Sequence, residues 1–292
     1  MSNPVAPPIV VGVDGSATAL DAVVWAAEDC ARRHMPLRLV HCYILPTGGY
    51  PELIVDGQGF AATLEQQGRH YLDEAEATAL TAAPGVTVET QLLLTPPIPQ
   101  LIEESKHART VVLGSRGLGG FSGILIGSIA VALAAHGHCP TVVIRGTTTV
   151  DGPVVVGVDG SPASEAAIAF AFDAASVLEA PLTAVLSWTD ALVDSAFQAT
   201  RFTMAELADE EGQTRLLAER LAGWQEKYPD VSVDRVVVRD RPAIALLRLA
   251  DHARLLVVGS RGRGGFTGML LGSTSQALVH HAPCPVAVVR PE

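Results

Sequence analysis

Two hydrophobic patterns alternate along the chain. Continuous apolar runs of four or five residues, such as "IVVGV" at residues 9–13, are typical of parallel strands that are buried on both faces. Between these runs, apolar side chains recur every three or four positions, as at Leu20, Val23 and Ala27, which predicts helices with one buried stripe. The alternation of strands and helices predicts an α/β fold with a mostly parallel, doubly wound sheet and right-handed crossovers.

The first half of the chain contains a complete series of such elements. A turn at Asp14-Gly15 ends the first strand, and Ser16 or Thr18 is the predicted cap of the first helix. A loop rich in proline and glycine follows the second strand, and a glycine loop follows the fourth. The strands are predicted at residues 9–13, 37–43, 86–94, 110–114 and 141–145, and the helices within residues 14–34, 60–82, 99–108 and 128–136.

The motifs of the first half return in the second at a fixed offset of 145 positions. "IVVGVDGS" begins at Ile9 and "VVVGVDGS" at Val154, and the glycine loop that begins at Gly114 returns at Gly259. One offset throughout indicates a duplicated domain. The predicted domains are residues 1–146 and 153–292, joined by a short polar hinge at residues 146–153.

The repeat also argues against a membrane span. Residues 117–144 contain no Asp, Glu, Lys or Arg, and roughly 20 apolar residues are enough to cross a bilayer. The segment is crowded with glycine, however, and its second copy carries Arg263 and Gln276. A span in only one of two copies is implausible, so we expect none.

Composition and charge narrow the classes of function. The 292-residue chain has a net charge of −11, which argues against general nucleic-acid binding, because such binding depends on neutralising phosphates. Its four cysteines show no CxxC spacing, and its N-terminus has no basic region followed by a long apolar stretch. We therefore expect a cytoplasmic protein with free thiols.

The glycine loop of each half has the pattern G-x2-G-x9-G-S. In parallel α/β sheets, ligands bind outside the carboxyl ends of the strands, where this loop and the Asp-Gly turn are expected to meet. Glycines let backbone N–H groups crowd an anion, and the Gly-Ser pair opens a helix whose N-terminus favours negative charge. The residues predicted to hold nucleotide phosphates are Gly114, Gly117, Gly127 and Ser128, and Gly259, Gly262, Gly272 and Ser273.

Charged residues beside the loop fit the same hypothesis. Arg116 and Arg261 can add a charge-assisted contact to phosphate. Asp14 and Asp159 can accept from a ribose hydroxyl or help to hold Mg²⁺. Other nucleotide motifs fail, since the chain has no GxxxxGK[ST] and "GLGGFS" places Ser122 where GxGxxG needs its third glycine. The glycines by themselves are equally compatible with a tight turn that holds no ligand.

Three motifs together resemble the universal stress protein family: the "VGVDGS" of the first strand, the G-x2-G-x9-G-S loop and the closing strand "CPVAVV". The resemblance covers each half in turn, and the loop pattern resembles the branch of the family that binds ATP. It implies two tandem Rossmann-like domains of the adenine nucleotide α-hydrolase-like type. Each domain would have a five-stranded parallel sheet of order 3-2-1-4-5, flanked by helices.

The resemblance also implies roles at the site. It places Asp14 and Asp159 by the ribose and metal, and the loop residues named above around the phosphates. It implies that adenine is contacted through the backbone at the end of the second strand, which is Cys42 in the first half and Ser187 in the second. The halves differ beside this position, since His41 of the first half corresponds to leucine in the second.

The implied function is that of a regulatory ATP-binding protein of stress, growth arrest or dormancy, whose nucleotide occupancy sets its conformation or partners. The alternatives are an enzyme of a related fold that cleaves ATP, and a ligand-free scaffold. Such an enzyme carries a longer pyrophosphate loop after the first strand, where this chain has only "DGS". Ser16 and Ser161 have no nearby histidine that recurs in both halves, so we expect no enzyme activity beyond slow ATP hydrolysis.

One group of possible metal ligands has a structural interpretation. His136, His138 and Cys139 combine metal-ligand types, but the second half keeps only His281 and Cys284, so a role at a helix end is the favoured interpretation.

The closing strands, at residues 141–145 and 285–290, are expected at sheet edges, and an apolar edge needs a partner. In the resembling family these strands pair across a two-fold axis. A tandem chain can pair them between its own halves, or each can pair with another chain. We expect pseudo-dimeric pairing of the halves together with a homodimer of the chain.

Overall fold

The computed structural model describes residues 6–45, 57–117, 127–147, 149–188, 210–262 and 271–291. The chain divides into two compact units, Met1–Ile144 and Arg145–Glu292. Within the described ranges, every helix is too short or too polar to cross a membrane.

The first unit contains a parallel sheet of order β3-β2-β1-β4-β5. This is the 3-2-1-4-5 order that the resemblance implies, and the prediction is confirmed. The strands are β1 (Ile9–Gly12), β2 (Leu37–Tyr43), β3 (Val88–Leu94), β4 (Thr110–Gly114) and β5 (Thr141–Ile144). The helices are α1 (Ala17–Arg33), α2 (Gly57–Ala82), α3 (Pro97–Glu104) and α4 (Ser128–His136).

The second unit repeats this order, with strands arranged β8-β7-β6-β9-β10 in a parallel sheet. The α/β fold class with two tandem domains is therefore confirmed. The strands are β6 (Val154–Val158), β7 (Leu182–Trp188), β8 (Val233–Arg239), β9 (Leu255–Gly259) and β10 (Val286–Val289). The helices are α5 (Pro162–Leu178), α6 (Glu210–Lys227), α7 (Pro242–Ala250) and α8 (Ser273–His281).

The apolar patterns of the sequence correspond to buried surfaces. Ile9, Val10 and Val11 of β1 are buried, as expected of a central parallel strand with both faces covered. Val23 and Ala27 of the predicted stripe on α1 are also buried, whereas Leu20 is half-buried. Burial of these runs supplies the main driving force for folding, at roughly 25 cal/mol per Å² of apolar surface.

The boundaries of several elements differ from the sequence prediction. The third helix begins at Pro97 and ends at Glu104, rather than covering 99–108, because proline is favoured in the first helical turn. Helix α2 begins at Gly57 rather than at about residue 60. The cap of α1 is Ser16, whose Oγ accepts from the Ala19 amide at 3.2 Å. The interiors of the two glycine loops, 118–126 and 263–270, lie outside the described residues.

Candidate functional site

A cavity of about 450 Å³ lies at the carboxyl ends of β1 and β4 in the first unit. Its volume falls within the roughly 300–1,000 Å³ typical of small-ligand sites. The residues that the sequence singled out in the first half all line it: Asp14, Cys42, Gly114, Arg116, Gly117, Gly127 and Ser128. The fold thus brings together residues that are up to 114 positions apart in the chain.

The Asp14 carboxylate is held by the turn that joins β1 to α1. The Ser16 amide and the Ser16 hydroxyl donate to Asp14 Oδ1 at 3.0 and 2.6 Å. Gly15 adopts a left-handed conformation with φ of 83°, which glycine reaches without steric cost. The turn therefore fixes the carboxylate at the mouth of the sheet. In the second unit, the Ser161 amide donates to Asp159 Oδ1 at 2.9 Å in the same way.

The glycine loop contacts this carboxylate at its fourth position. A Cβ built on Gly117 would collide with Asp14 Oδ2, and one on Gly262 would lie 2.5 Å from Asp159 Oδ2. Real Cβ atoms essentially never come so close to another heavy atom. A side chain at either position would therefore displace the carboxylate, because the loop backbone lies directly against the acidic group.

Not every glycine of the loop has the same reason to be glycine. A Cβ on Gly114 would lie 2.5 Å from Thr18 O, and one on Gly259 would lie 2.7 Å from the carbonyl carbon of Ala163. These two glycines allow the fourth strand of each unit to pack closely against a helix. A Cβ on Gly127 would meet no atom of the described residues within 4 Å, so packing against that part of the chain does not explain this glycine.

The backbone of Arg116 is anchored to the start of α1. Thr18 Oγ1 donates to Arg116 O and also lies 3.4 Å from the Arg116 amide. Ser16 Oγ lies 3.1 Å from the same carbonyl oxygen. The Arg116 side chain is exposed, so its charge is available at the cavity. In the second unit, Ser161 Oγ donates to Arg261 O at 3.2 Å.

The N-terminus of α4 lies at the cavity with no acidic residue in its first turn. Gly127 is its cap residue and makes no side-chain hydrogen bond, so the cap leaves the first amides of the helix uncovered by a side chain. These amides and the helix dipole favour an anion there. Gly272 and Ser273 begin α8 in the same manner, with the Gly272 amide donating to Ser260 O at 2.8 Å.

The ends of the second strands differ between the units. Burial, with a smaller contribution from Glu104, raises the pKa of the Cys42 thiol to about 11, so this thiol is neutral and a poor nucleophile at neutral pH. Cys42 can therefore contribute its shape and its backbone groups. Ser187 occupies the matching position, and its hydroxyl donates to Asp240 O.

Sequence reasoning did not single out the apolar wall of the cavity. Val40, Leu101 and Leu113 line it. In the sequence they are ordinary core residues of a strand or a helix, and no local signal distinguishes them. A Cβ on Gly12 would lie 2.8 Å from Leu113 Cδ2, so the size of this wall depends on glycine in β1.

Mg²⁺ is compatible with the groups present. Among the described residues, no three His, Cys, Asp or Glu side chains are grouped to hold a metal. The histidine and cysteine segment at 136–139 forms no such group either. Mg²⁺ bound with a nucleotide usually takes one or two carboxylates, phosphate oxygens and water. Asp14 and Asp159 each provide one such carboxylate.

Comparison with known proteins gives a consistent result. The sequence model of the universal stress protein family matches residues 7–145 and again residues 152–290. Two universal stress proteins of Mycobacterium tuberculosis strain H37Rv are each 42% identical to this chain, and the alignments cover 97% of this chain and 96% of each relative. A universal stress protein of Mycolicibacterium smegmatis is 41% identical, with 97% of each chain covered.

Solved structures agree on the fold. The crystal structure of a universal stress protein from Archaeoglobus fulgidus DSM 4304 matches with a TM-score of 0.72 at 18% identity, covering 98% of this chain and 99% of that one. A putative universal stress protein from Pseudomonas aeruginosa matches with a TM-score of 0.57 at 15% identity, covering 98% and 94%.

Proposed function

The chain belongs to the universal stress protein family, and from this premise we propose that it is a regulatory ATP-binding protein whose nucleotide occupancy sets its conformation or partners in growth arrest or dormancy. The observation that supports the proposal is the contact of Gly117 with Asp14, which recurs between Gly262 and Asp159. Each contact places a bare loop backbone beside a carboxylate, at the edge of the sheet where ligands bind.

Each group at the first cavity has a task in this proposal. The amide of Ser128 holds a phosphate oxygen at the N-terminus of α4, where Gly127 has no side chain to block it, and Arg116 adds a positive charge. Asp14 accepts from a ribose hydroxyl or holds Mg²⁺, which when bound neutralises phosphate charge. The backbone of Cys42 contacts adenine beside the apolar wall. Asp159, Ser187, Arg261, Gly272 and Ser273 carry out the same tasks in the second half.

We propose that the protein does not act as an enzyme, beyond at most slow ATP hydrolysis. Among the described residues that line the cavity, the charged side chains are Asp14 and Arg116. Asp14 Oδ1 already accepts two hydrogen bonds from Ser16, which reduces the capacity of that oxygen to activate water. A bound nucleotide would therefore stay unhydrolysed and could act as a signal.

ATP is expected to bind both halves, with a stoichiometry near two per chain, because both halves keep the Asp and the loop glycines. Isothermal titration of nucleotide-free protein with Mg-ATP measures this number. ATP at about 100 times its Kd should stabilise the protein by roughly 2.7 kcal/mol and raise the melting temperature. One site or none at millimolar ATP would contradict the proposal, and an unchanged melting temperature would favour a ligand-free scaffold.

We further propose that the protein acts in the cytoplasm as a homodimer. The four cysteines show no CxxC spacing, and such sparse cysteine supports a reducing compartment. Light scattering should then give about 61 kDa, twice the 30.5 kDa of the chain. A value near 30.5 kDa across micromolar concentrations would show a monomer instead.

A further inference from the structure

The Asp-Gly turn of the first half lies against an aromatic ring from α2. A Cβ built on Gly15 would lie 2.5 Å from Tyr71 Cδ1 and 2.6 Å from Tyr71 Cζ. The Tyr71 ring therefore packs directly against the backbone of Gly15, next to the Asp14 carboxylate. The Tyr71 hydroxyl is itself held by Gln67 Nε2, which donates to it at 2.6 Å.

A buried histidine connects this ring to the preceding residue of the turn. His41 is only 9% exposed, and its ring meets that of Tyr71 edge-on at 5.5 Å between centroids. His41 Nδ1 lies 2.7 Å from Val13 O, and it must donate because a carbonyl oxygen can only accept. Val13 and Gly15, the two neighbours of Asp14, are thus both held by side chains outside the turn.

Gly68 makes this arrangement possible. A Cβ there would lie 2.6 Å from Leu92 Cδ1 and 2.8 Å from His41 Cδ2. Helix α2 therefore approaches β2 and β3 closely at this point, because position 68 has no side chain. The close approach brings Tyr71, one turn further along α2, over the Asp-Gly turn.

The second half does not have these side chains. The offset of 145 places Leu216 at the position of Tyr71 and Leu186 at that of His41. The correspondence holds locally, because α2 ends at Ala82 and α6 ends at Lys227, which are also 145 positions apart.

The second half instead holds its aspartate from α5. The Asp159 amide donates to Ser164 Oγ at 3.0 Å, and Ser164 is buried. Ala19 occupies this position in the first half, so the same contact cannot form there. Ser164 also donates its own amide to the cap residue Ser161, so it is held at the first turn of α5.

We propose that Tyr71 and Ser164 are positioning residues, each of which sets the affinity of the nucleotide site in its own half. The proposal rests on the proposed function for the identity of the ligand, an adenine nucleotide. A carboxylate binds a ribose or a metal well only when it is held within about 0.5 Å of the required place. Because different side chains hold the backbones of the two Asp-Gly turns, the two sites are inequivalent and each can change without the other.

The test compares variants of the full chain by titration with Mg-ATP. Tyr71→Leu, which installs the residue of the second half, is expected to weaken one of the two sites about tenfold and to leave the other unchanged. Tyr71→Phe keeps the ring and should restore most of that affinity. Ser164→Ala should weaken the other site by a similar factor. Thr81→Ala is the matched control, since Thr81 is an exposed residue of α2 whose hydroxyl donates to Ala77 O within the helix.

Hydrogen exchange without nucleotide provides a second readout. Tyr71→Leu should speed amide exchange at residues 14–16, and Tyr71→Phe should not. Peptides that ATP protects identify the half whose site is weakened.

If the parent binds two ATP and Tyr71→Leu binds both with parental affinity, the inference is wrong and the proposed function stands. If the parent binds no ATP but exchange at 14–16 rises in Tyr71→Leu, the proposed function fails and the positioning contact is supported. Unchanged exchange overturns the inference. Should Tyr71→Leu not fold, Ser164→Ala, which removes one oxygen, decides by titration with Mg-ATP and by amide exchange at residues 159–161.

Discussion

Replacing Gly117 by aspartate is expected to reduce ATP binding from two sites per chain to one. The new Cβ would collide with Asp14 Oδ2, and the added carboxylate would repel both Asp14 and the phosphates. We expect the affinity of the first site to fall at least about a hundredfold, or roughly 2.8 kcal/mol. Isothermal titration of the purified variant with Mg-ATP measures the loss.

Three variants separate the causes of that loss. Gly262→Asp should remove the second site alone, since Gly262 has the same relation to Asp159. Gly117→Ala adds the Cβ without the charge and isolates the steric part. Gly223→Asp adds the same charge in α6, where a Cβ would meet no described atom within 4 Å, and should still bind two ATP. Two normal sites in Gly117→Asp would show that the loop does not hold phosphate.

Replacing Phe172 by alanine is expected to destabilise the second half by about 3–5 kcal/mol, because it leaves a cavity in a packed core. Phe172 is 0% exposed and stacks on Trp224 and Tyr228, with ring centroids 6.2 and 5.8 Å away. Native-state hydrogen exchange of peptides from β6 and β7 measures the free energy of unfolding of this half alone. Exchange in β1 and β2 should be unchanged.

Phe170→Ala is the matched control, since Phe170 lies on the same helix but is only partly buried. It should cost clearly less than Phe172→Ala. The first half has Ala27, Ala79 and Ala83 at the positions of the three stacked rings, and it fills that interface with small residues instead. A loss below about 1 kcal/mol in Phe172→Ala would mean that the site collapses around the missing ring.

Much of the fold could be predicted from local patterns. The apolar runs at β1 and β4 and the stripe on α1 predicted these elements correctly. The spacing of apolar residues shows which face of a helix or strand is buried. The boundaries were less predictable. Pro97 begins α3 two residues before the predicted start, since capping and proline geometry, rather than hydrophobicity, decide where a helix begins.

The candidate site was predictable in part, since its motif residues of the first half line one cavity. The physical reason for each glycine of the motif was not predictable. Gly114 and Gly117 belong to one motif, yet Gly114 contacts the backbone of α1 and Gly117 contacts the Asp14 carboxylate. A spacing pattern does not show this difference, because the difference depends on which atoms of the folded protein lie opposite each glycine.

The sequence by itself therefore determined a duplicated α/β chain, with an Asp-Gly turn and a glycine loop at the carboxyl ends of each sheet. A repeat and a hydrophobic period are properties of the chain alone, so they can be read without coordinates. Only the tertiary structure decided what holds each turn: Tyr71 against Gly15 in one half, and Ser164 on the amide of Asp159 in the other. The physical reason is that packing is decided by atoms in contact. Gly68 lets α2 approach the sheet closely, although Gly68 lies 53 positions from Gly15 in the chain. Nothing near Gly15 in the sequence indicates this contact.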